Sequence, residues 1–234
     1  MHVLIIGRGA LGQAISQELM AEDHIVFMDR DLNNIPQNHY DVIIDCSHPD
    51  NLQDLCAFAQ ANKLPVVIAT TGLSDEQFEY IDALAQKVPV LYSANFSLGV
   101  VLMNKIVNQV TQVLHTTFDI EILEKHHRNK LDSPSGTVNM LLSAVQSALS
   151  TPYDVNHGRQ GFKKRKSTEI GVHSLRGGSF HGEHQVIFAG EDEVFTISHQ
   201  AGSKRVFARG AVLGTTWLLN QPAGRYSMED LLAI

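Results

Sequence analysis

Val3-Leu4-Ile5-Ile6-Gly7-Arg8-Gly9-Ala10-Leu11-Gly12 decides the fold of this 234-residue chain. An apolar run stops at a glycine, and glycines then recur with the spacing G-x-G-x-x-G. In a strand that turns sharply into a helix, the first glycine permits the turn and the second lets a pyrophosphate approach the backbone. The third packs helix against strand. The N–H groups that open such a helix face an anion. The spacing alone is a weak signal, because glycines also gather at ordinary strand-to-helix turns. Asp29 adds weight: it ends the second apolar run, 17 positions beyond Gly12, where an acidic side chain meets ribose hydroxyls. Gly7, Gly9, Ala10, Leu11, Gly12 and Asp29 are therefore candidate cofactor contacts. Arg30 follows at once, and a guanidinium there suits a 2′-phosphate as the carboxylate suits a free hydroxyl, so NADH and NADPH both stay open.

Outward from this turn, short β-branched runs alternate with amphipathic stretches. Strands are expected over 3–7, 25–29, 42–45, 66–70 and 88–93, with helices over 10–21, 51–61 and 74–86. The last helix opens with Ser74 and Gln77, the spacing of a capping box. This alternation predicts a Rossmann-like, doubly wound parallel sheet with helices on both faces. A helix over 98–113 follows, and the pattern then changes to strands over 119–124, 169–175, 185–189 and 194–199, which predicts a second α+β domain on a mixed sheet. A closing helix over 204–220 is expected to rejoin the first domain. The division that results is 1–97 with 207–234 for the dinucleotide, and 98–206 for substrate and oligomerisation. Residues 151–166 are polar and aperiodic and read as a mobile loop.

Composition excludes several classes of protein. A hydrophobic content of 44% supports a full core, and a net charge of −7 argues against a general nucleic-acid surface. No apolar run approaches the roughly 18 residues of a membrane span. Two cysteines, Cys46 and Cys56, imply no disulfide framework, and the cytoplasm is the expected location.

Two loops at expected strand ends, Ala69-Thr70-Thr71-Gly72 and Ser93-Ala94-Asn95-Phe96-Ser97, are placed to line a nicotinamide crevice, since open α/β sheets bind ligands at the carboxyl ends of their strands. Ordinary turn chemistry accounts for either loop alone. A different chemistry appears in Glu124-Lys125-His126-His127-Arg128-Asn129-Lys130-Leu131-Asp132-Ser133-Pro134-Ser135-Gly136-Thr137. Here two imidazoles and several cations precede a helix start whose N–H groups suit a carboxylate. Adjacent histidines after a strand are often partly exposed surface or a structural hydrogen-bonding pair. If they act, successive strand residues point to different faces, so His126 and His127 are expected to differ, one able to handle a proton and the other to contact a ligand. Adjacent histidines do not readily share one zinc ion, and no metal site is expected.

This segment, read as Glu124-x-His126-His127-x-x-Lys130-x-Asp132-x-Pro134-Ser135-Gly136-Thr137, resembles the signature of the dihydrodipicolinate (4-hydroxy-tetrahydrodipicolinate) reductase family of the diaminopimelate and lysine pathway. The two strand-end loops, Arg176-Gly177-Gly178, Gly182-Glu183-His184 and Phe207-Ala208-x-Gly210-Ala211 are similar to family segments in the same order, so the resemblance spans nearly the whole chain. It implies His126 as the histidine that gives or takes a proton and Lys130 as a proton donor. His127, Lys130, Ser135, Gly136 and Thr137 are then substrate contacts, and Asp29 and Arg30 the adenosine-side contacts. Ala69, Thr70, Thr71, Ser93, Ala94, Asn95 and Phe96 fall on the nicotinamide side, with NADH or NADPH as cofactor, a small dicarboxylate as substrate and a homotetramer as assembly. The glycine loop departs from the family's usual G-x-x-G-R-M-G, being one residue shorter and lacking the arginine after its central glycine.

Two other readings compete. A dehydrogenase using a cysteine thiolate would need Cys46 or Cys56, both in the expected strand and helix pattern of the first domain, where a small buried hydrophobe is the usual role. A non-catalytic dinucleotide sensor would need only the first domain, and would leave the His126–Lys130 cluster without a task.

Overall fold

In the computed structural model of the chain, residues 1–234 are described apart from positions 31, 33, 34 and 37. The elements run β1 (His2–Ile6), α1 (Ala10–Ala21), β2 (Ile25–Asp29), β3 (Val42–Asp45), a 3-10 turn Pro49–Asn51, α2 (Leu52–Asn62), β4 (Val66–Ile68), α3 (Asp75–Ala85) and β5 (Pro89–Tyr92). They continue as α4 (Leu98–Leu114), β6 (Asp119–His126), α5 (Gly136–Ser147), β7 (Asp154–His157), β8 (Glu169–Arg176), β9 (Glu183–Ala189) and β10 (Val194–Gln200). The chain closes with α6 (Arg205–Leu218), β11 (Gly224–Tyr226) and α7 (Met228–Leu232). Two units result, Met1–Leu98 with Lys204–Ile234, and Gly99–Ser203.

The first unit is a parallel sheet in the order β11-β5-β4-β3-β1-β2. Both faces of β1 are buried, as expected of a strand read as a continuous apolar run. On one face Leu4, Ile6 and Ile43 pack with Leu52 and Leu55 of α2 and Ile81 and Leu84 of α3. Elsewhere in this unit α1 packs against α6, and α6 against β4 and β5. Each fully buried Ile or Leu of this kind contributes about 1.5–3 kcal/mol. The chain leaves β1 to one side for β2 and to the other for β3, so the order reverses there and opens a crevice beyond the carboxyl ends of the strands. Ser74 and Gln77 form the expected capping box at the start of α3.

The second unit is a mixed sheet in the order β10-β9-β6-β8-β7. Its central strand, β6, runs parallel to β8 and antiparallel to β9. Ile120, Ile122, Val172, Val186 and Phe188 face Met103 and Val107 of α4 and Val138, Leu141 and Val145 of α5. Alternation along β6 buries Ile120, Ile122, Glu124 and His126 in turn, so the inward face passes from apolar to ionisable at the strand's carboxyl end.

Three elements correct the sequence reading. The stretch 151–166 holds β7, which pairs parallel with β8, and Arg159, Arg165 and Lys166 anchor the remainder through Glu169, Glu121, Asp119 and Asp154. A loop with no hydrophobic period is thus ordered by backbone pairing and charge. Beyond the expected closing helix, β11 extends the parallel sheet beside β5, and α7 starts from a Ser227–Asp230 capping box. No helix among the described residues is long and apolar enough to cross a membrane.

Candidate active site

In the first unit the crevice is shaped by missing side chains. Gly7 has φ of +110°, and a Cβ there would stand 2.3 Å from the Cys46 carbonyl oxygen. A Cβ on Gly12 would stand 2.2 Å from the Gly7 carbonyl oxygen, so the third glycine lets α1 close onto the turn. Around Gly9 the corresponding space is open. The Gly9 cap makes no side-chain hydrogen bond, and the first turn of α1, with Ala10, Leu11 and Gly12, carries no acidic residue. That uncapped positive end above an open glycine fits a pyrophosphate.

The Gly7 N–H donates to the Asp29 carbonyl oxygen (2.8 Å), which ties the turn to the end of β2. Asp29 Oδ1 accepts from the Arg30 N–H (2.6 Å), and the Arg30 side chain is exposed. An opening of about 410 Å³ is lined by Gly7, Arg8, Gly9, Arg30, Ser47 and His48 among others. A second, of about 450 Å³, adds Leu11, Ala69, Thr70, Thr71 and Gly72. Thr70 is buried and Thr71 exposed. In the other loop Ser93 Oγ donates to the Asn95 carbonyl oxygen (2.7 Å), and Ala94 is exposed. Phe96 is buried, its carbonyl lying where a Cβ on Gly210 of α6 would be.

Sequence reasoning passed over the loop after β3. Asp45 is buried, and its Oδ1 accepts from Ser47 Oγ (2.6 Å) and the Ser47 N–H (3.2 Å), which also donates to Thr70 Oγ1 (3.0 Å). Burial raises the Asp45 carboxyl above its usual range against these hydrogen bonds. The available signal was position, since Asp45 ends a central strand. Burial, with the Asp45 charge nearby, pushes the Cys46 thiol up to about 12 and Cys56 to about 11, which removes thiolate chemistry at neutral pH.

In the second unit the site is made of side chains from several elements. The fully buried Glu124 carboxylate accepts from Arg176 Nη1 (2.9 Å) and Nη2 (2.7 Å), and from His126 Nδ1. The His126 ring meets the His184 ring edge to face at 5.2 Å. His184 Nε2 lies 3.1 Å from Ser135 Oγ, and Ser135 caps α5 by accepting from the Val138 N–H (3.4 Å). Gly136 has open space where a side chain would be, so a ligand can reach the backbone of that first turn. Thr137 follows, half-buried.

His127 follows the end of β6, is half-buried, and its N–H donates to the Phe180 carbonyl oxygen (2.9 Å). Lys130 Nζ donates to both Asp132 oxygens (2.7 and 2.8 Å). Beside His126, Gly182 lines a cavity of about 420 Å³ with Gly178, Ser179, Phe180, His181 and Ala201.

Burial drives the electrostatics of this group. It lowers His126 below the ordinary imidazole value despite the opposing Glu124 carboxylate, with the Lys130 and Arg176 charges adding to the effect. His184 falls to about 4 for the same first reason, with His126 beside it. Burial pushes Glu124 up, but hydrogen bonds from Arg176, His126 and Ser174 outweigh it and hold the carboxyl below its usual range. Glu124, Arg176 and His184 were not among the residues predicted for the site. Glu124 sits two places before His126 on one face of β6, which was a readable signal, whereas Arg176 and His184 arrive through strand register.

A glycine turn at the switch point of a parallel sheet, in a chain that also carries a buried His–Glu–Arg group beside a helix start, defines a nicotinamide-dependent oxidoreductase. Comparison with known proteins narrows the class. The family model described as dihydrodipicolinate reductase, N-terminus, matches residues 2–96, and the one described as dihydrodipicolinate reductase, C-terminus, matches residues 99–232. The chain belongs to the dihydrodipicolinate reductase family. It is 44% identical over 192 residues to a 4-hydroxy-tetrahydrodipicolinate reductase of Clostridium novyi (strain NT), covering 82% of this chain and 76% of that protein. It is 38% identical over 237 residues to the protein of the same name from Alkaliphilus oremlandii (strain OhILAs), covering 99% and 98%. Among solved structures, a dipicolinate-bound dihydrodipicolinate reductase from Paenisporosarcina sp. TG-14 shares the fold, with a TM-score of 0.79 and 24% identity over 98% of each chain.

Proposed function

We propose that the chain reduces 4-hydroxy-tetrahydrodipicolinate, or the dihydrodipicolinate left when it loses water, to tetrahydrodipicolinate in diaminopimelate and lysine biosynthesis. The observation that carries this reading is the grouping of His126, Glu124 and Arg176 near the Ser135 helix start, in a member of this family. The first unit holds the dinucleotide, with Gly7, Gly9, Ala10, Leu11 and Gly12 at the pyrophosphate and Asp29 and Arg30 at the adenosine ribose. Ala69 to Thr71 and Ser93 to Phe96 form the nicotinamide side. When bound, the nicotinamide supplies hydride to ring C4 of the unsaturated dicarboxylate.

The remaining work falls to the second unit. Lys130, His127 and the turn Ser135-Gly136-Thr137 bind substrate carboxylates through charge and backbone N–H groups. Hydride addition to a conjugated imine leaves an enamine-like species, so a proton must reach the neighbouring ring carbon from His126 or Lys130. The cofactor is NADH, NADPH or either, since Asp29 suits a ribose diol and the exposed Arg30 a 2′-phosphate.

The working assembly is a homotetramer formed through the second unit's sheet, a reading supported by exposed Val194 and Phe195 on β10. We place it in the cytoplasm, a reading supported by the two unpaired cysteines. The test is steady-state oxidation of NADH and of NADPH with enzymatically generated hydroxy-tetrahydrodipicolinate. Turnover with at least one of them is expected, and absence of turnover with both overturns the assignment.

A further inference from the structure

Resting on the reductase reading above, the geometry points to Glu124 and Arg176 as positioning residues that hold His126 in one tautomer, with the proton on Nδ1 and Nε2 left as the working nitrogen. Glu124 and His126 share the inward face of β6, and the Glu124 side chain is wholly out of water. A buried carboxylate needs compensation, and Arg176 supplies it through a two-pronged contact that fixes the carboxylate plane. Oε2 then meets His126 Nδ1. An ionised carboxylate can only accept, so Nδ1 must carry the hydrogen, and a neutral imidazole so protonated has a bare Nε2.

Two neighbours preserve that arrangement. The His184 ring stands edge to face with His126 and opposes a ring flip. Nε2 also lies 3.2 Å from where a Cβ on Gly182 would be, and Gly182 has φ of +146°, so the position is suited to a residue with no side chain. Nε2 therefore faces Gly182, one of the residues that line the neighbouring cavity.

Arg176 has a second task. Its Nη2 also donates to the Asp132 carbonyl oxygen (2.7 Å), and the Asp132 carboxylate in turn holds Lys130. One guanidinium thus ties the orientation of His126 to the loop that carries Lys130. Neither Glu124 nor Arg176 needs to touch substrate for this, since both act through other groups.

The test is ¹⁵N NMR of the full chain labelled at histidine, with His126 assigned by the signal lost in His126→Gln. A protonated Nδ1 and a bare Nε2 are expected in the unmodified protein, and the reverse tautomer overturns the proposal without any variant. In Glu124→Gln the carboxamide can donate to Nδ1, so the tautomer should invert or mix. The kcat should then fall about 10²–10⁴-fold, while KM for the cofactor stays unchanged. Arg176→Lys, which keeps the charge and loses the fork, should fall between the two proteins. Unchanged tautomer and kcat in a folded Glu124→Gln protein would equally overturn it. If the unmodified protein shows the expected tautomer and no reductase activity, the function assignment fails and the positioning stands.

Discussion

In the first unit the crevice is shaped by residues that have no side chain, Gly7, Gly9 and Gly12, all within one turn of chain. In the second, Glu124, Ser135, Arg176 and His184 come from β6, the start of α5, β8 and β9. A site made of backbone depends on local geometry, so its substitutions act on the fold of its unit. A site made of buried side chains depends on pairings set by the sheet, and its substitutions act first on protonation and orientation.

The largest effect that would sharpen this contrast is expected at Gly7. Alanine there must adopt a left-handed φ and place its Cβ 2.3 Å from a backbone oxygen that cannot swing aside. Strain of about 1–3 kcal/mol and overpacking of similar size predict a loss of about 2–6 kcal/mol in unfolding free energy, read by urea denaturation. Cofactor affinity should fall with it. A Gly7→Ala protein of unchanged stability would break the claim that the turn is dictated by backbone contact.

A smaller effect, of different origin, is expected at His184. Its folded-state pKa is lowered from 6.5 to about 4, so between these values the unfolded chain binds the extra proton and the folded chain does not. Its stability contribution is complete above pH 6.5 and is lost as pH falls toward 4. A lowering of that size corresponds to about 3 kcal/mol. Urea melts across that window should show this loss, with His126 contributing in the same direction, and His184→Phe should flatten the slope. An unaltered slope in that variant would mean that the buried imidazole is not the group responsible.

The same contrast explains what the sequence disclosed. The strands and helices of the first unit were legible because their periods are local, and Ser74 with Gln77 marked a helix start outright. The strand β11 was not, because Gly224-Arg225-Tyr226 has no period of its own and becomes a strand by pairing with β5. Likewise β7, Asp154-Val155-Asn156-His157, owes its form to β8 and to the charges around it. At the site, His126 and Ser135 stood out as residue types in a dense motif. Arg176 and His184 were marked only within segments similar to the family and given no role, since their place in the site depends on β6 pairing His126 with Arg176 and Glu124 with His184 across long stretches of chain. Register between strands distant in sequence leaves little trace in either one.

The most direct measurement of the central claim, that this chain moves hydride from a nicotinamide to a ring carbon of a dicarboxylate, is isotope tracing with reduced nicotinamide cofactor carrying deuterium at both C4 positions. The account predicts deuterium at ring C4 of the tetrahydrodipicolinate formed, in proportion to cofactor oxidised. Cofactor oxidation with no deuterium in that product would contradict it.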